Sequence, residues 1–200
     1  MPERSPDTDD RKALKADLRR AALGRRAAIE AAGRDAAVAT LAARAAELGP
    51  VAGKIVSGFW PIRDEINPRP LMAALAALGA ELALPAVVDR ETIVFRRWRE
   101  GEPLVAGGFG TLAPGADAET VDPDVMLVPL AAFDVAMQRI GYGAGHYDRA
   151  IDRLQKAGRR PRLIGVAFSC QEVPQIPAEP HDEPLDMVLT ENGIVAPAAT

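Results

Sequence analysis

Residues 127–151, LVPLAAFDVAMQRIGYGAGHYDRAI, indicate the fold class of the whole chain. Apolar residues 126–128, closed by Pro129, predict a short buried strand of a parallel sheet. A glycine-rich turn follows, and the next residues have the composition of a helix that ends at Gly158. A buried strand, a tight turn and a helix in this order are typical of an α/β fold.

The glycine-rich turn has the composition of a phosphate-binding loop. Gly141, Gly143 and Gly145 allow positive φ angles and close approach of a ligand. The N–H groups and dipole of the following helix then favour an anion. Arg139 can neutralise a phosphate, and Asp148 lies where a carboxylate can hold a nucleotide-borne magnesium ion. The spacing matches neither the Walker pattern nor the dinucleotide fingerprint, and a turn that only reverses the chain is the structural alternative.

Length and composition favour one domain. The chain has 200 residues, is 48% hydrophobic and carries a net charge of -4, which argues against nucleic-acid binding. No apolar run approaches the roughly 20 residues of a membrane span. Residues 1–9 are predicted to be a disordered leader and residues 10–200 a single domain. We expect a cytoplasmic protein, monomeric or a small homo-oligomer, whose lone Cys170 is buried rather than nucleophilic.

Helical and strand patterns alternate along the rest of the chain. Residues 10–48 predict two helices broken near Gly33, and a further helix is predicted to start at Pro68. Strands are predicted at residues 53–60, 81–85, 92–98, 163–168 and 185–190, with loops at 101–124 and 172–184. The sequence therefore predicts an α/β fold, a single domain with a mainly parallel sheet flanked by helices and an N-terminal helical segment.

Several polar side chains are candidates for a site at the ends of these strands. Trp60 and Glu65 follow the first strand, where open α/β sheets bind ligands, although a core indole and a solvated carboxylate are equally ordinary. Lys15, Arg19 and Arg26 share one face of the N-terminal helix, which a solvated basic face also explains. Two further candidates have plain structural alternatives: Gln171 as a satisfied loop amide and His181 as a surface residue.

The central segment also resembles a known family. Phe133 and Asp134, followed by RIGYGAGHYDR at residues 139–149, resemble the signature of the 5-formyltetrahydrofolate cyclo-ligase family, also called 5,10-methenyltetrahydrofolate synthetase. In that family the pattern runs F-D, a short turn, then R-L-G-x-G-x-G-Y-Y-D-R. A K-x-x-L-R motif of the family is matched from Lys15 to Arg19, and Arg25 has the spacing of a further family arginine.

The resemblance implies a site for ATP, 5-formyltetrahydrofolate and Mg²⁺. The residues that it implies for ATP are Lys15, Arg19, Arg139, Ile140, Gly141, Tyr142, Gly143, Ala144, Gly145, His146 and Tyr147. Those implied for the folate are Trp60, Glu65, Tyr142, Gly143, Gly145 and His146. The implied catalytic residues are Lys15 and Arg139, and the implied metal ligands are Asp148 and Asp186.

Three residues depart from the family pattern. His146 replaces a tyrosine, which preserves a planar ring and adds a titratable group. Met137 stands where glycine is usual, so a positive φ there would be strained. Ala113 stands in place of the glutamate of a G-x-x-E-P pattern, so no site is assigned to it.

The function implied by the resemblance is ATP-dependent cyclisation of 5-formyltetrahydrofolate to 5,10-methenyltetrahydrofolate, with release of ADP and phosphate. Two alternatives stay open. A sugar-phosphate isomerase or similar α/β enzyme would use the glycine loop without ATP or folate. A non-catalytic folate- or nucleotide-binding relative would fit the substitutions at Ala113 and Met137.

Overall fold

The computed structural model describes residues 6–108, 110–179 and 182–197. Its α-helices are α1 (Pro6–Ala27), α2 (Ala31–Ala43), α3 (Arg69–Ala77) and α4 (His146–Lys156). Its strands are β1 (Ile55–Ser57), β2 (Glu81–Val87), β3 (Ile93–Arg97), β4 (Val105–Ala106), β5 (Leu112–Ala113), β6 (Thr120–Val121), β7 (Val125–Pro129), β8 (Ala132–Phe133), β9 (Arg139–Ile140), β10 (Arg162–Val166), β11 (Met187–Thr190) and β12 (Gly193–Val195). Short 3₁₀ helices lie at Ala45–Leu48 and Ser169–Gln171.

The predicted α/β architecture with a mainly parallel sheet is confirmed. Eight strands form one sheet in the order β12-β11-β10-β7-β1-β2-β3-β6. The central strands β11, β10, β7, β1 and β2 are mutually parallel, while β12, β3 and β6 run antiparallel to their neighbours. Two small ribbons, β4-β5 and β8-β9, stand apart from this sheet.

Both faces of the sheet are buried because helices cover both sides. Along β7, Val125 and Leu127 point into a core that includes residues of α2 and α3. Met126 and Val128 point into a second core that includes residues of α4. Side chains alternate between the faces of a strand, so the uninterrupted apolar run of β7 reflects a strand buried on both faces.

Several element boundaries differ from the sequence-based expectations. α1 begins at Pro6, so residues 6–9 are helical rather than part of a disordered leader; residues 1–5 lie outside the described residues. The two N-terminal helices separate at residues 28–30, and Gly33 lies within α2. α4 starts at His146, earlier than the apolar pattern indicated. The predicted 101–124 loop contains the short strands β4, β5 and β6.

The fold brings α1 to the edge of the sheet where the parallel strands end. Ala22 of α1 is fully buried in a small cluster with Ala132, Ile140, Val173 and Ile176. This cluster lies beside the β8-β9 ribbon, which leads directly into the glycine-rich turn. Within the described parts of the chain, no helix has the length and apolar character that crossing a membrane requires.

Candidate functional site

A cleft of approximately 820 Å³ opens at the carboxyl ends of the central strands. This size is typical of small-molecule sites, and its place at the sheet edge is where α/β proteins bind ligands. Residues at or just after the ends of β1, β2 and β7 form its apolar walls, including Phe59, Trp60, Val87 and Pro129. The remaining lining contains every residue predicted for ATP or folate: Lys15, Arg19, Glu65, Arg139, Ile140, Gly141, Tyr142, Gly143, Ala144, Gly145, His146 and Tyr147.

The glycine-rich turn adopts the conformation that its composition predicts. Gly143 and Gly145 have φ angles of 97° and 67°, and Gly145 caps α4. A Cβ on Gly145 would lie only 2.8 Å from Arg149 Nη1. Arg149 donates to the carbonyls of Ala144 and Glu91, both at 2.7 Å, so it ties the turn to the β2-β3 connection. Arg149 therefore fixes the turn next to the first residues of α4.

Two side chains of α1 reach the cleft, as the K-x-x-L-R resemblance implied. Arg19 Nε donates to the Gly141 carbonyl at 2.8 Å. Lys15 Nζ lies 2.7 Å from Asp182 and 2.9 Å from Glu179. Burial lowers the pKa of Lys15, but its bonds to these two carboxylates outweigh burial and leave the pKa raised. Lys15 is therefore a fixed positive charge in the wall of the cleft.

Arg139 is placed differently from the free phosphate-binding arginine that the sequence suggested. Its side chain is only 6% exposed and forms an ion pair with Asp148, the predicted metal ligand. It also donates to the carbonyl of Glu183. Arg139 thus joins the first turn of α4 to the loop before β11, while still lining the cleft. Its charge therefore lies within the wall of the cleft.

A buried arginine on α1 connects the glycine turn to the loop after β1. Arg26 is 3% exposed. It donates to the Tyr142 hydroxyl at 2.5 Å and to Asp64 at 2.7 Å, and the hydrogen bond from Arg26 lowers the pKa of Asp64. Lys15 and Arg19 thus line the cleft, whereas Arg26, on the same face of α1, lies outside its lining and supports two of the segments that form it. Arg25 instead contacts the Cys170 and Glu172 carbonyls.

The predicted folate residues Trp60 and Glu65 both lie in the cleft. Glu65 accepts a hydrogen bond from the Ile62 amide at 2.8 Å and a second from Tyr142. Burial raises the pKa of Glu65, and it also raises the pKa of Tyr142. One face of Trp60 stacks against the Arg69 guanidinium, 4.8 Å from the ring centroid. An indole beside a half-buried carboxylate can receive a flat ring that carries N–H donors.

Tyr147 carries a buried polar atom that the protein itself does not satisfy. Its hydroxyl has no hydrogen-bond partner within the described part of the chain, and burial strongly raises its pKa. Buried hydroxyl groups are normally paired, and each exception calls for an explanation. Because Tyr147 lines the cleft, a polar ligand there can supply the missing partner.

Asp186 does not meet Asp148, so the predicted pair of metal ligands is wrong. Asp186 precedes β11 and accepts from the Leu163 amide at 2.7 Å, at the start of β10. Both strands are parallel to β7, which puts Asp186 at the amino edge of the sheet, opposite the cleft. Besides the predicted Glu65, the acids that share the cleft with Asp148 are Glu179, Asp182 and Glu183, which the sequence reasoning missed.

The residues that depart from the family pattern have three different environments in the structure. Met137 has a φ of 63° and is buried in the second core, so the strained conformation is retained. His146 lies 3.0 Å from the Arg90 carbonyl and lines the cleft. Ala113 is buried and outside the cleft. His181 lies outside the described residues.

Two other expectations concern the loop after β10. Gln171 is buried, and it donates to the Leu130 and Ala131 carbonyls and accepts from the Phe168 amide. It is therefore a satisfied loop amide rather than a ligand group. Cys170 is half-buried, and burial raises the pKa of its thiol. A raised pKa disfavours the thiolate, in agreement with a non-nucleophilic cysteine.

The fold and cleft together define an α/β protein with a ligand site at the carboxyl ends of its parallel strands. The chain belongs to the 5-formyltetrahydrofolate cyclo-ligase family, whose model matches residues 11–191. It is 35% identical to a 5-formyltetrahydrofolate cyclo-ligase of Mycolicibacterium smegmatis over 73% of this chain and 78% of that protein. It is 32% identical to the Escherichia coli K12 cyclo-ligase over 68% and 76%, respectively.

Solved structures agree with this assignment. The NMR structure of Aquifex aeolicus 5,10-methenyltetrahydrofolate synthetase superimposes with a TM-score of 0.78 at 28% identity, covering 94% of each chain. The synthetase of Mycoplasma pneumoniae has a TM-score of 0.70 over 88% of this chain and 98% of that chain, and at 23% identity it supports the fold alone. Family membership favours the cyclo-ligase interpretation over the sugar-phosphate isomerase alternative.

Proposed function

We propose that the protein catalyses the ATP-dependent cyclisation of 5-formyltetrahydrofolate to 5,10-methenyltetrahydrofolate, releasing ADP and phosphate. Beyond membership of the family, one observation supports the proposal. The lining of a single cleft combines a glycine turn and basic side chains with an indole and a half-buried carboxylate. A nucleotide phosphate suits the first group, which we call the phosphate end, and a pterin suits the second group, which we call the folate end.

The reaction needs phosphate transfer rather than a protein nucleophile. The formyl oxygen of an N-formyl group is amide-like and is a poor leaving group. Transfer of the γ-phosphoryl group of ATP to that oxygen makes it a good one and releases ADP. N10 then attacks the formyl carbon, the ring closes, and loss of phosphate leaves the methenyl bridge. The protein has to align the two substrates and stabilise the charge that is transferred.

The phosphate end provides that stabilisation through groups that are already positioned. Lys15 and Arg19 approach the glycine turn from α1, and the first amides of α4 face the same space. Arg139 adds positive charge from within the wall. Donors that are fixed before the reaction contribute most to catalysis, because they need no reorganisation as the charge moves. We assign ATP to this end and catalytic roles to Lys15 and Arg139.

The folate end supplies orientation. Trp60 offers an aromatic surface, and Glu65 offers acceptor oxygens to pterin N–H groups. Tyr142 contacts Glu65 and belongs to the glycine turn, so one side chain lies between the two substrate regions. This arrangement favours binding of the folate next to the nucleotide, as phosphoryl transfer between them requires.

The acidic residues of the cleft fit a nucleotide-borne Mg²⁺. Asp148 keeps 41% of its side chain exposed, and Asp182 keeps 20%. Carboxylate oxygens are the donors that this ion prefers, with its other ligands taken from phosphates and water. We propose Asp148 and Asp182 as the protein ligands. A bound Mg²⁺ would neutralise phosphate charge.

One assay tests the proposal directly. The purified protein is mixed with Mg-ATP and 5-formyltetrahydrofolate, and methenyl-folate absorbance is followed together with ADP release. Equimolar ATP-dependent formation of both products is expected, and a Lys15→Met variant should be slower by at least tenfold. Folate binding without turnover would favour the non-catalytic alternative. The cytoplasmic location, the oligomeric state and the absence of nucleic-acid partners stay predictions.

A further inference from the structure

One cation of the cleft is not explained by phosphate binding. Four Lys and Arg side chains line the cleft: Lys15, Arg19, Arg63 and Arg139. Lys15 is paired with Glu179 and Asp182, Arg19 is bonded to the glycine turn, and Arg139 is paired with Asp148. Arg63 is exposed, and no ion pair or hydrogen bond engages it within the described residues.

The backbone at Arg63 is unusual as well. Its φ is 53°, in the left-handed region that favours glycine. Elsewhere in the described chain, Met137 is the other non-glycine residue with a positive φ, and its side chain is buried in the core. Arg63 is exposed, so packing in the core does not offset the strain at this residue. Residues in such backbone conformations cluster at active sites and ligand-binding segments.

The position of Arg63 identifies the part of the ligand that it can reach. Arg63 lies between Trp60 and Glu65 in sequence, and all three line the cleft. Arg69 stacks on the indole and is also exposed. The folate end of the cleft therefore combines the half-buried carboxylate of Glu65 with the exposed guanidinium of Arg63. Arg69 is not part of the lining but packs on the indole that is. A folate has the matching polarity, because a pterin forms one end and glutamate carboxylates form the other.

We propose that Arg63, supported by Arg69, binds the glutamate carboxylates of the folate and so sets the preference for glutamylated substrates. The proposal rests on the proposed folate function of the cleft. An arginine at the rim can hold a carboxylate with two parallel hydrogen bonds. The positive charge of Arg63 also partly neutralises the negative charge of the acidic residues that line the cleft, which would repel a dianionic ligand.

Binding measurements with paired ligands test this assignment. The Kd of 5-formyltetrahydrofolate and of 5-formyltetrahydropteroate, which lacks the glutamate, are measured by titration calorimetry for the wild type and Arg63→Gln. The substitution is expected to raise the Kd of 5-formyltetrahydrofolate roughly fivefold, as for the loss of one exposed ion pair. The Kd of 5-formyltetrahydropteroate should stay unchanged. Arg63→Lys retains the charge but cannot form the two parallel hydrogen bonds, so its preference should lie between those of the wild type and Arg63→Gln.

Arg160→Gln is the matched control, because Arg160 is exposed and lies near Asp186 at the opposite edge of the sheet. It should leave both Kd values unchanged. Equal weakening of both ligands by Arg63→Gln would show a structural role and overturn the proposal, as would no change for either. Turnover is measured separately. Folate binding without cyclisation would refute the proposed enzymatic function, whereas the role of Arg63 is decided by the ratio of the Kd values of the two ligands in each variant.

Discussion

Replacing Tyr142 with phenylalanine is expected to destabilise the protein by about 2 kcal/mol, although the residue is 36% exposed. The hydroxyl accepts from Arg26 Nη1 at 2.5 Å. Arg26 is 3% exposed, and its Nε already lacks a partner in the described chain. Losing the hydroxyl leaves a second donor of a buried cation unsatisfied, which costs about 1–3 kcal/mol. The ring stays over the guanidinium in either variant, so the cation–π contribution largely cancels.

Urea unfolding with a fitted m-value measures this loss, and the Tm should fall by about 4–8 °C for a chain of this length. Tyr147→Phe is the matched control. Its hydroxyl is buried without a partner in the described residues, so removing it should be neutral or stabilising for the unliganded protein. A Tyr142→Phe change below about 0.5 kcal/mol, or equal losses in both variants, would refute the reasoning.

Three further predictions concern the same cleft. Burial raises the pKa of Glu65 above its ordinary 4.5, so the folded state binds this proton more tightly than the unfolded state does. The free energy of unfolding should therefore fall as pH rises from the pKa of the unfolded state to the raised pKa of the folded state. In Tm measurements against pH, Glu65→Gln should remove the part of the fall that comes from this carboxyl group. Gly145→Ala should lower the free energy of unfolding by about 1–2 kcal/mol and weaken ATP binding, because the φ of Gly145 is 67° and the added methyl meets a neighbouring arginine. Gly141→Ala is the control: its added methyl meets open space, so the Tm should stay close to that of the wild type. Asp182→Asn should raise the Mg²⁺ concentration needed for half-maximal turnover roughly tenfold, and Asp186→Asn should leave it unchanged; the reverse ranking would contradict the proposed ligands.

The central strand and the glycine turn were predictable because local chemistry determines both. An apolar run closed by Pro129 has few alternatives to a strand buried on both faces. The glycines at 143 and 145 take the positive φ angles that their residue type permits. The start of α4 was missed because its first turn is rich in polar groups, and residues 146–148 of that turn line the cleft. A functional first turn lacks the apolar spacing on which helix prediction depends.

The acidic residues of the cleft were harder to predict because they lie on a loop. Glu179 and Asp182 precede β11 by several residues, and the folded path of that loop brings them to Lys15. Asp186 stands immediately before the strand. A residue that precedes a strand parallel to β7 must lie at the amino edge of the sheet. Strand direction alone therefore argued against Asp186, and no sequence rule indicated Asp182.

The charges of the cleft explain how a chain of net charge -4 can receive polyanionic ligands. Net charge describes long-range behaviour, whereas binding depends on the local field. Before any ligand binds, Lys15 is held by Glu179 and Asp182, and Arg139 is held by Asp148. These pairs keep the cations ordered at a smaller desolvation cost than isolated charges would carry. A triphosphate with its Mg²⁺ can then exchange partners within the cleft, the phosphates taking the cations and the metal taking the carboxylates. Acidic residues disfavour a bare anion, but they are consistent with a site that binds the anion together with its metal ion.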